Sequence, residues 1–415
     1  MTASRPNLPV DGARLWADLM ELADITEPDR PFTRRSFTPM FLKGREWLRE
    51  RFDAAGLAIH MDTGGNLFGR LEGSDPAAGT ILIGSHSDTV PAGGRFDGTA
   101  GVLAGLEVLR SLKTRHAIEV VDFLAEEPSE YGLSCIGSRV MAGLMKPEML
   151  DYRDPAGERL GDAMDRVGAD TTRLAAARRT DIAAFFELHI EQGIVLESQG
   201  LDLGIVTAIA GIARAEIRFA GRADHAGSTP MHLRRDAGVA AARLVAFVDE
   251  EARRNATAGR GHFVATVGVL EQRPNAANVI PGDARLVVDI RAEDHELSQA
   301  FLARLEEHSR AIAEACAVER SGWSILSNTT PAACDPHLRD LLAQGARSLG
   351  FSSTDIASGA GHDAAFVARF APASMVFVPC REGRSHCPEE WAEPDEIAAG
   401  AAAIFEAVLR FDAGD

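Results

Sequence analysis

The segment Thr80-Ile-Leu-Ile-Gly-Ser-His86, with Gly101-Val-Leu-Ala-Gly-Leu-Glu-Val-Leu-Arg-Ser-Leu112 and Val120-Val-Asp-Phe-Leu-Ala125 behind it, decides how the chain is read. The first and third stretches are short, continuous apolar runs; the second has apolar residues at helical spacing. Strand, helix and strand in that order make a parallel crossover unit whose sheet is covered on both faces. Ala184-Phe-Phe-Glu-Leu-His-Ile190 and Met375-Val-Phe-Val378 repeat the buried-strand pattern, and Ala398-Ala-Gly-Ala-Ala-Ala-Ile404 suits a helix. The fold class expected is α/β, with a mostly parallel central sheet.

Between these blocks the grammar changes. Arg214-Ala-Glu-Ile-Arg-Phe-Ala220 alternates polar and apolar residues as a half-exposed strand does, and Asp236 to Val248 reads as a helix. Phe263–Leu270 and Ala284–Arg291 read as strands, Leu297–Ala317 as a helix and Trp323–Leu326 as a short strand. The order β-α-β-β-α-β is that of a ferredoxin-like unit. The expected organisation is residues 1–210 and 330–415 as one domain, interrupted by an inserted domain at 211–329.

Composition narrows the function. The chain has 415 residues, 43 Lys and Arg against 61 Asp and Glu, a net charge of −18, and five cysteines. An acidic excess of that size opposes binding to a polyphosphate backbone, so nucleic acid is not an expected partner. No run approaches the ~18 apolar residues that span a bilayer, and the first residues lack the apolar core of a signal peptide. The expected location is the cytoplasm, with no membrane partner. Cys135, Cys316, Cys334, Cys380 and Cys387 show no two-residue spacing, and buried free thiols are expected at all five.

Open α/β sheets bind ligands outside the carboxyl ends of their strands. Those ends carry His86 and Asp88, Glu126 and Glu127, His189, and a loop leading to Ser385-His386; Arg95-Phe-Asp97-Gly98 lies just before the helix at 101. His86, Asp97, Glu127, His189 and His386 supply three imidazoles and two carboxylates, which suit Zn²⁺, Mn²⁺, Co²⁺ or Ni²⁺ without a thiolate. Two such ions ~3.5–4 Å apart call for a bridging carboxylate, and Asp97 in its glycine-bounded turn is the expected bridge. Asp88 is placed to take the second ring proton of His86. The side chains of Glu126 and Glu127 diverge on an extended chain, so one binds metal while the other takes a proton from water.

Taken singly, each of these residues has a plainer reading, as a packed histidine, a solvated Glu-Glu pair or an ordinary turn. Together at one sheet edge they require five such coincidences. Cys387, beside His386, is read as a packing thiol. Gly359-Ala-Gly-His-Asp-Ala364 fits a dinucleotide fingerprint by letters but follows no apolar strand, and Gly132-Leu-Ser-Cys-Ile136 lacks the last glycine of a nucleophile elbow.

The ordered motifs Gly84-Ser-His-Ser-Asp-Thr-Val-Pro-Ala-Gly-Gly-Arg-Phe-Asp-Gly98, Glu126-Glu127, Glu187-Leu-His-Ile-Glu-Gln-Gly193, Asp224-His-Ala-Gly-Ser-Thr-Pro-Met231, Pro274-Asn-Ala-Ala-Asn-Val-Ile-Pro-Gly282, Asp289-Ile-Arg291, Ser358-Gly-Ala-Gly-His-Asp363 and Ser385-His386 together resemble the hydantoinase/carbamoylase family of dinuclear metal amidohydrolases. That resemblance implies a zinc-peptidase-like catalytic domain with an inserted lid and dimerisation domain, a homodimer, and two divalent ions per subunit. His86 and His386 resemble ligands of different ions, Asp97 the bridge, Glu127 and His189 the remaining ligands, and Glu126 the general base. His225 resembles an oxyanion donor supplied by the partner subunit, and Arg291 a clamp on the substrate carboxylate. Gln192, Asn278 and the backbone of Gly359 and Gly361 resemble further substrate contacts.

The activity implied is hydrolysis of the ureido group of an N-carbamoyl-L-amino acid or related ureido acid. Alternatives are an allantoate or ureidoglycolate amidohydrolase, an N-acyl amino-acid hydrolase or dipeptidase, and, in a different class, a binding homologue without catalysis. Ser87 stands where many relatives carry an apolar residue. Gly211-Ile-Ala-Arg214 replaces the Gly-Gln-Arg of allantoate hydrolases, which weighs against allantoate.

Overall fold

The computed structural model describes residues 8–415, so the first seven residues, part of the N-terminal reading above, lie outside the described residues. The strands in chain order are β1 Ala58–Met61, β2 Leu67–Leu71, β3 Thr80–His86, β4 Ala117–Phe123, β5 Ile182–Ile190, β6 Leu203–Ile209, β7 Gly211–Ala220, β8 Phe263–Arg273, β9 Asp283–Ala292, β10 Glu319–Asn328, β11 Ala332–Ala333, β12 Ser353–Ser358 and β13 Ala373–Val378. They form a nine-stranded sheet, ordered β1-β2-β4-β3-β5-β13-β6-β11 with β12 on β6, and a four-stranded sheet ordered β10-β7-β9-β8. By compactness the chain divides into one unit ending at Thr207 and resuming at Ala333, and a second unit, Ala208–Ala332.

In the first unit the centre of the sheet is parallel. β3 pairs in parallel with β4 and with β5, and β5 with β13. Four strands therefore end at one edge, with His86 opposite Phe123 and His189 opposite Phe377. The flanks are antiparallel, β1 on β2, β2 on β4 and β6 on β13. These flanking strands were not expected from the sequence, because β1 and β2 are short and part-exposed and carry little apolar pattern.

Helix Thr99–Ser111 is buried along nearly its whole length, and Pro394–Ala413 packs beside it, with Ala399, Ala402, Ala403 and Ile404 in the shared core. Small residues bring that helix close: a Cβ at Gly400 would lie 2.5 Å from Leu188 Cδ1. Its start is set by Pro394 and a reciprocal cap between Glu393 and Glu396. Strand β4 stops at Phe123, two residues before the expected end, because Ala125 is left-handed with φ 53°. That kink frees Glu126 and Glu127 from the sheet.

The second unit is a four-stranded antiparallel sheet with helices Ala237–Ala256 and His295–Ala315 on it, around a separate core that includes Ile217, Phe219, Leu244, Leu286, Val288 and Phe301. Side chains of β9 alternate between buried and part-exposed along the whole strand. The second helix begins and ends two residues before the expected bounds. Asp294 caps it at Leu297 N, and Ala317, with φ 54°, cannot continue it.

All five cysteines are free, but Cys316 and Cys387 are only half-buried, which corrects the expectation of burial at every one. Among the described residues no helix is long and apolar enough to cross a membrane.

Candidate metal centre

His86 is the last residue of β3, and its ring is held from behind. Nδ1 lies 3.0 Å from the main-chain carbonyl of Asp88 and 3.5 Å from its carboxylate. The sequence pointed to the carboxylate as the proton acceptor; the nearer acceptor is the carbonyl. The Asp88 carboxylate instead accepts the main-chain N–H groups of Glu126 and Glu127 at 3.2 and 3.3 Å, so it ties the end of β3 to the turn after β4.

His189 is arranged in the same way, with Nδ1 2.9 Å from the carbonyl of Ile190. A carbonyl only accepts, so each Nδ1 carries a proton; in the neutral ring Nε2 then offers a lone pair, and in the charged ring it donates. Gly98 N–H reaches His189 Nε2 at 3.3 Å, as it does to an acceptor.

Both Nε2 atoms face the same carboxylate. Asp97 Oδ1 is 3.0 Å from His189 Nε2 and 3.9 Å from His86 Nε2, while Oδ2 is 2.9 Å from His386 Nε2. Glu127 Oε1 is 3.3 Å from the same His386 nitrogen. Two groups result, His86, Asp97 and His189, and Asp97, Glu127 and His386, each with its ligand atoms within 4.8 Å of one another, and Asp97 belongs to both.

Acceptors converging on acceptors in a dry setting are the donor set of a cation. Asp97, Glu126 and Glu127 are 4, 8 and 6% exposed. An uncompensated buried ion costs several kcal/mol, more than the ~1 kcal/mol of a typical hydrogen bond, so buried carboxylates this close together favour positive charge between them. The residues present fit two divalent ions sharing Asp97.

The proton affinities carry the same strain. Burial opposes the Asp97 carboxylate, but hydrogen bonds from His189 and His386 hold it well below the usual range. The Asp97 and Glu127 carboxylates raise His386 to about 11. Burial pushes the Glu126 carboxyl well above the ordinary carboxylate range; His86 pulls it down, and Glu127, Asp363 and Asp88 push it up further.

Glu126 and Glu127 diverge, as adjacent residues on an extended chain do: Glu126 Oε2 lies 3.6 Å from His86 Nε2, and Glu127 reaches His386. The Glu126 carboxylate also accepts a hydrogen bond from Cys135 Sγ at 3.2 Å. His386 is 48% exposed at its side chain, so the site opens to solvent on that side. Gly98 is required by close approach. Its φ is 66°, and a Cβ there would sit 2.3 Å from the His86 ring.

Gln192 comes to the second group. Its Nε2 donates to Asp97 Oδ2 at 3.0 Å and lies 3.3 Å from His386 Nε2. Gly359 and Gly361 lie in the loop after β12, where Ser358 Oγ is 2.8 Å from His362 Nε2 and the His362 ring packs edge-on against His189. In the second unit, His225 Nδ1 accepts from the N–H groups of Gly227 and Ser228, and Asn278 accepts Ala226 N–H through its carbonyl. Arg291 Nε donates to Asp289 Oδ1 at 2.9 Å.

Sequence reasoning missed several buried groups. Glu187, two residues before His189 on the same face of β5, accepts from Ser85 Oγ and from Ala364 N–H, and with His189 and His362 makes a third group of ligand-type atoms. Asp363 accepts from Ser138 Oγ. Two ionisable residues two apart in a buried strand were the available signal for Glu187. Glu390 was also missed. It lies four residues past His386 in a stretch without periodicity, and nothing in the sequence distinguishes it from a solvated acid. Among the described residues no ligand-type group includes Cys387.

Peptidase family M20/M25/M40 matches residues 82–410. The N-carbamoyl-L-amino acid amidohydrolase of Geobacillus stearothermophilus is 39% identical over 98% of this chain and 100% of its own length. The ureidoglycolate hydrolase of Arabidopsis thaliana is 34% identical over 95% of this chain and 85% of its own. The crystal structure of an amidase of the hydantoinase/carbamoylase family from Burkholderia multivorans superposes with a TM-score of 0.90 at 38% identity, covering 97% of this chain and 98% of that one.

Proposed function

Since the chain belongs to peptidase family M20/M25/M40, within the hydantoinase/carbamoylase amidases, we propose that it hydrolyses the ureido C–N bond of an N-carbamoyl-L-amino acid or related ureido acid. The observation that carries this reading is the shared Asp97 carboxylate, with His86 and His189 on one oxygen and His386 and Glu127 about the other. These five residues would hold two divalent ions, with Zn²⁺, Mn²⁺, Co²⁺ and Ni²⁺ as candidates. When bound, such ions supply Lewis acidity to the carbonyl and acidify water.

The chain's own residues handle binding and protons. Glu126 takes a proton from the attacking water and passes it to the departing amine nitrogen; its raised proton affinity suits a group that must both accept and release. The products are the amino acid, ammonia and carbon dioxide. His225 accepts at Nδ1 from two amides and so presents Nε2–H, the tautomer an oxyanion donor needs; we assign it that role in the partner subunit of a homodimer built through residues 211–329. Arg291, already oriented by Asp289, is assigned to the substrate carboxylate, and Gln192, Asn278 and the backbone of Gly359 and Gly361 to the rest of the substrate. Asp88 orients His86 and the turn that carries Glu126. Residues 211–329 are assigned as the lid inserted between 1–210 and 330–415. Five free thiols suit a reducing compartment, and we assign the cytoplasm.

Ureidoglycolate is the second substrate to test, because a relative named for it matches nearly the whole chain. The deciding measurement is ammonia release from a panel of N-carbamoyl-L-amino acids, ureidoglycolate and allantoate with each of the four metals, beside amine release from N-acyl amino acids and dipeptides. Ammonia from a carbamoyl substrate is expected. Amine release alone, or silence across the panel, would sink the proposal.

A further inference from the structure

Glu390 is fully buried, lies outside both ligand groups and touches the loops that carry them. Its Oε1 accepts the main-chain N–H of Phe96 at 2.8 Å and of Asp97 at 3.2 Å; its Oε2 accepts the Ser385 hydroxyl at 2.8 Å. One carboxylate therefore clamps the turn that carries Asp97 to the loop that carries His386. Both oxygens are engaged, so Glu390 is not itself a ligand.

The clamp has a second effect. Ser385 Oγ is also 3.4 Å from Asp97 Oδ2 and has one proton to give. The shorter bond to Glu390 takes that proton, which leaves Oδ2 to His386 and Gln192.

The surroundings are shaped to hold this carboxylate. A Cβ at Gly94 would fall 1.8 Å from Glu390 Oε1, so the turn closes on the group only because residue 94 has no side chain. The chain neighbours are locked too: the Phe96 ring meets Trp391 edge-on at 5.7 Å, and Trp16 packs on both. Trp391 carbonyl accepts Arg381 N–H, which pins the loop from its other side.

We propose that Glu390 is a positioning residue that sets the Asp97 carboxylate between the two ligand groups and fixes the distance from Asp97 to His386. This rests on the reading of Asp97 as a metal ligand. Partners behind metal ligands commonly contribute ~10–100-fold in metal affinity.

The test uses the full chain, stripped of metal and titrated with Co²⁺, reading stoichiometry and affinity by equilibrium dialysis and the ligand field from the visible spectrum. Glu390→Asp, too short to reach both loops, and Gly94→Ala, which displaces the carboxylate, are expected to lose ~10-fold or more in affinity for one Co²⁺ and to alter the spectrum. Glu390→Gln keeps an oxygen for both amides and the reach to Ser385, with its amide N–H donating to Oγ in place of the accepted hydroxyl proton, and is expected to lose clearly less affinity than Glu390→Asp. Circular-dichroism melts of the metal-free proteins check folding; if Glu390→Asp does not fold, Gly94→Ala and Glu390→Gln decide.

Wild-type affinity and spectrum in Glu390→Asp and Gly94→Ala would overturn the inference. So would a loss in Glu390→Gln as large as in Glu390→Asp, since charge and not reach would then be at work. Asp97→Asn separates the two levels. If it binds Co²⁺ as wild type does, the ligand reading itself fails; if it loses a Co²⁺ while the Glu390 variants do not, only the clamp fails.

Discussion

Glu126 and Glu127 are adjacent in sequence and face different histidines, and the cause is local. The left-handed Ala125 ends β4, Asp88 holds both following N–H groups, and the two side chains leave toward different histidines. The sequence made the divergence legible, but not which glutamate faces which imidazole. If Glu126 moves the proton and Glu127 holds metal, Glu126→Gln should lower kcat by ~10²–10⁴-fold and leave bound metal, measured by elemental analysis, at the wild-type level. Loss of metal in that variant, or unchanged turnover, would reassign the pair. Asp88 shows the limit of residue-level reading. Its position beside His86 was evident, yet its carboxylate serves a turn some 40 residues away, a contact that no local spacing encodes.

At the scale of elements, the parallel centre of the sheet follows from short apolar runs separated by a helix, which is why β3, β4, β5 and β13 were legible. The opposite ends of β3, β4 and β5 are tied by charged side chains. Asp181, just before β5, pairs with Arg179 and accepts from Thr80 Oγ1 at the start of β3, while Arg179 also reaches Glu119 on β4. The hydrogen-bonded Arg179 guanidinium holds Asp181 down at about 2 against the opposing effect of burial. A carboxyl whose folded-state value lies below its unfolded value of ~3.9 stabilises the fold above that value and loses the contribution as pH falls toward 2. Denaturant titrations between pH 5 and 2 should therefore show part of the acid loss removed in Asp181→Asn. An identical pH slope in that variant would leave Asp181 without a part in acid unfolding.

At the scale of the whole molecule, the two-ion reading couples metal to fold, because the residues assigned as ligands come from the ends of separate strands, the loop after β13 and the loop before a buried helix. A ligand that binds only the folded chain adds stability, ~2.7 kcal/mol at one hundred times its Kd. Chelation should lower the melting temperature and restored Mn²⁺ or Zn²⁺ should return it, as read by calorimetry; a melt indifferent to both would contradict the two-ion reading. What the sequence alone determined were the features that travel with local pattern: the α/β class, the β-α-β-β-α-β segment, and the placing of His86, Glu126, Glu127 and His189 at strand ends, with Asp97 before a helix and His386 in the loop after β13. Asp97 was already expected as the shared carboxylate; only the tertiary structure decided which histidine lies by which of its oxygens, and that Glu187, Asp363 and Glu390 are buried behind them. The physical reason is that periodicity reports which face of an element is dry, whereas the partner of a buried polar group is set by chain packing across hundreds of residues.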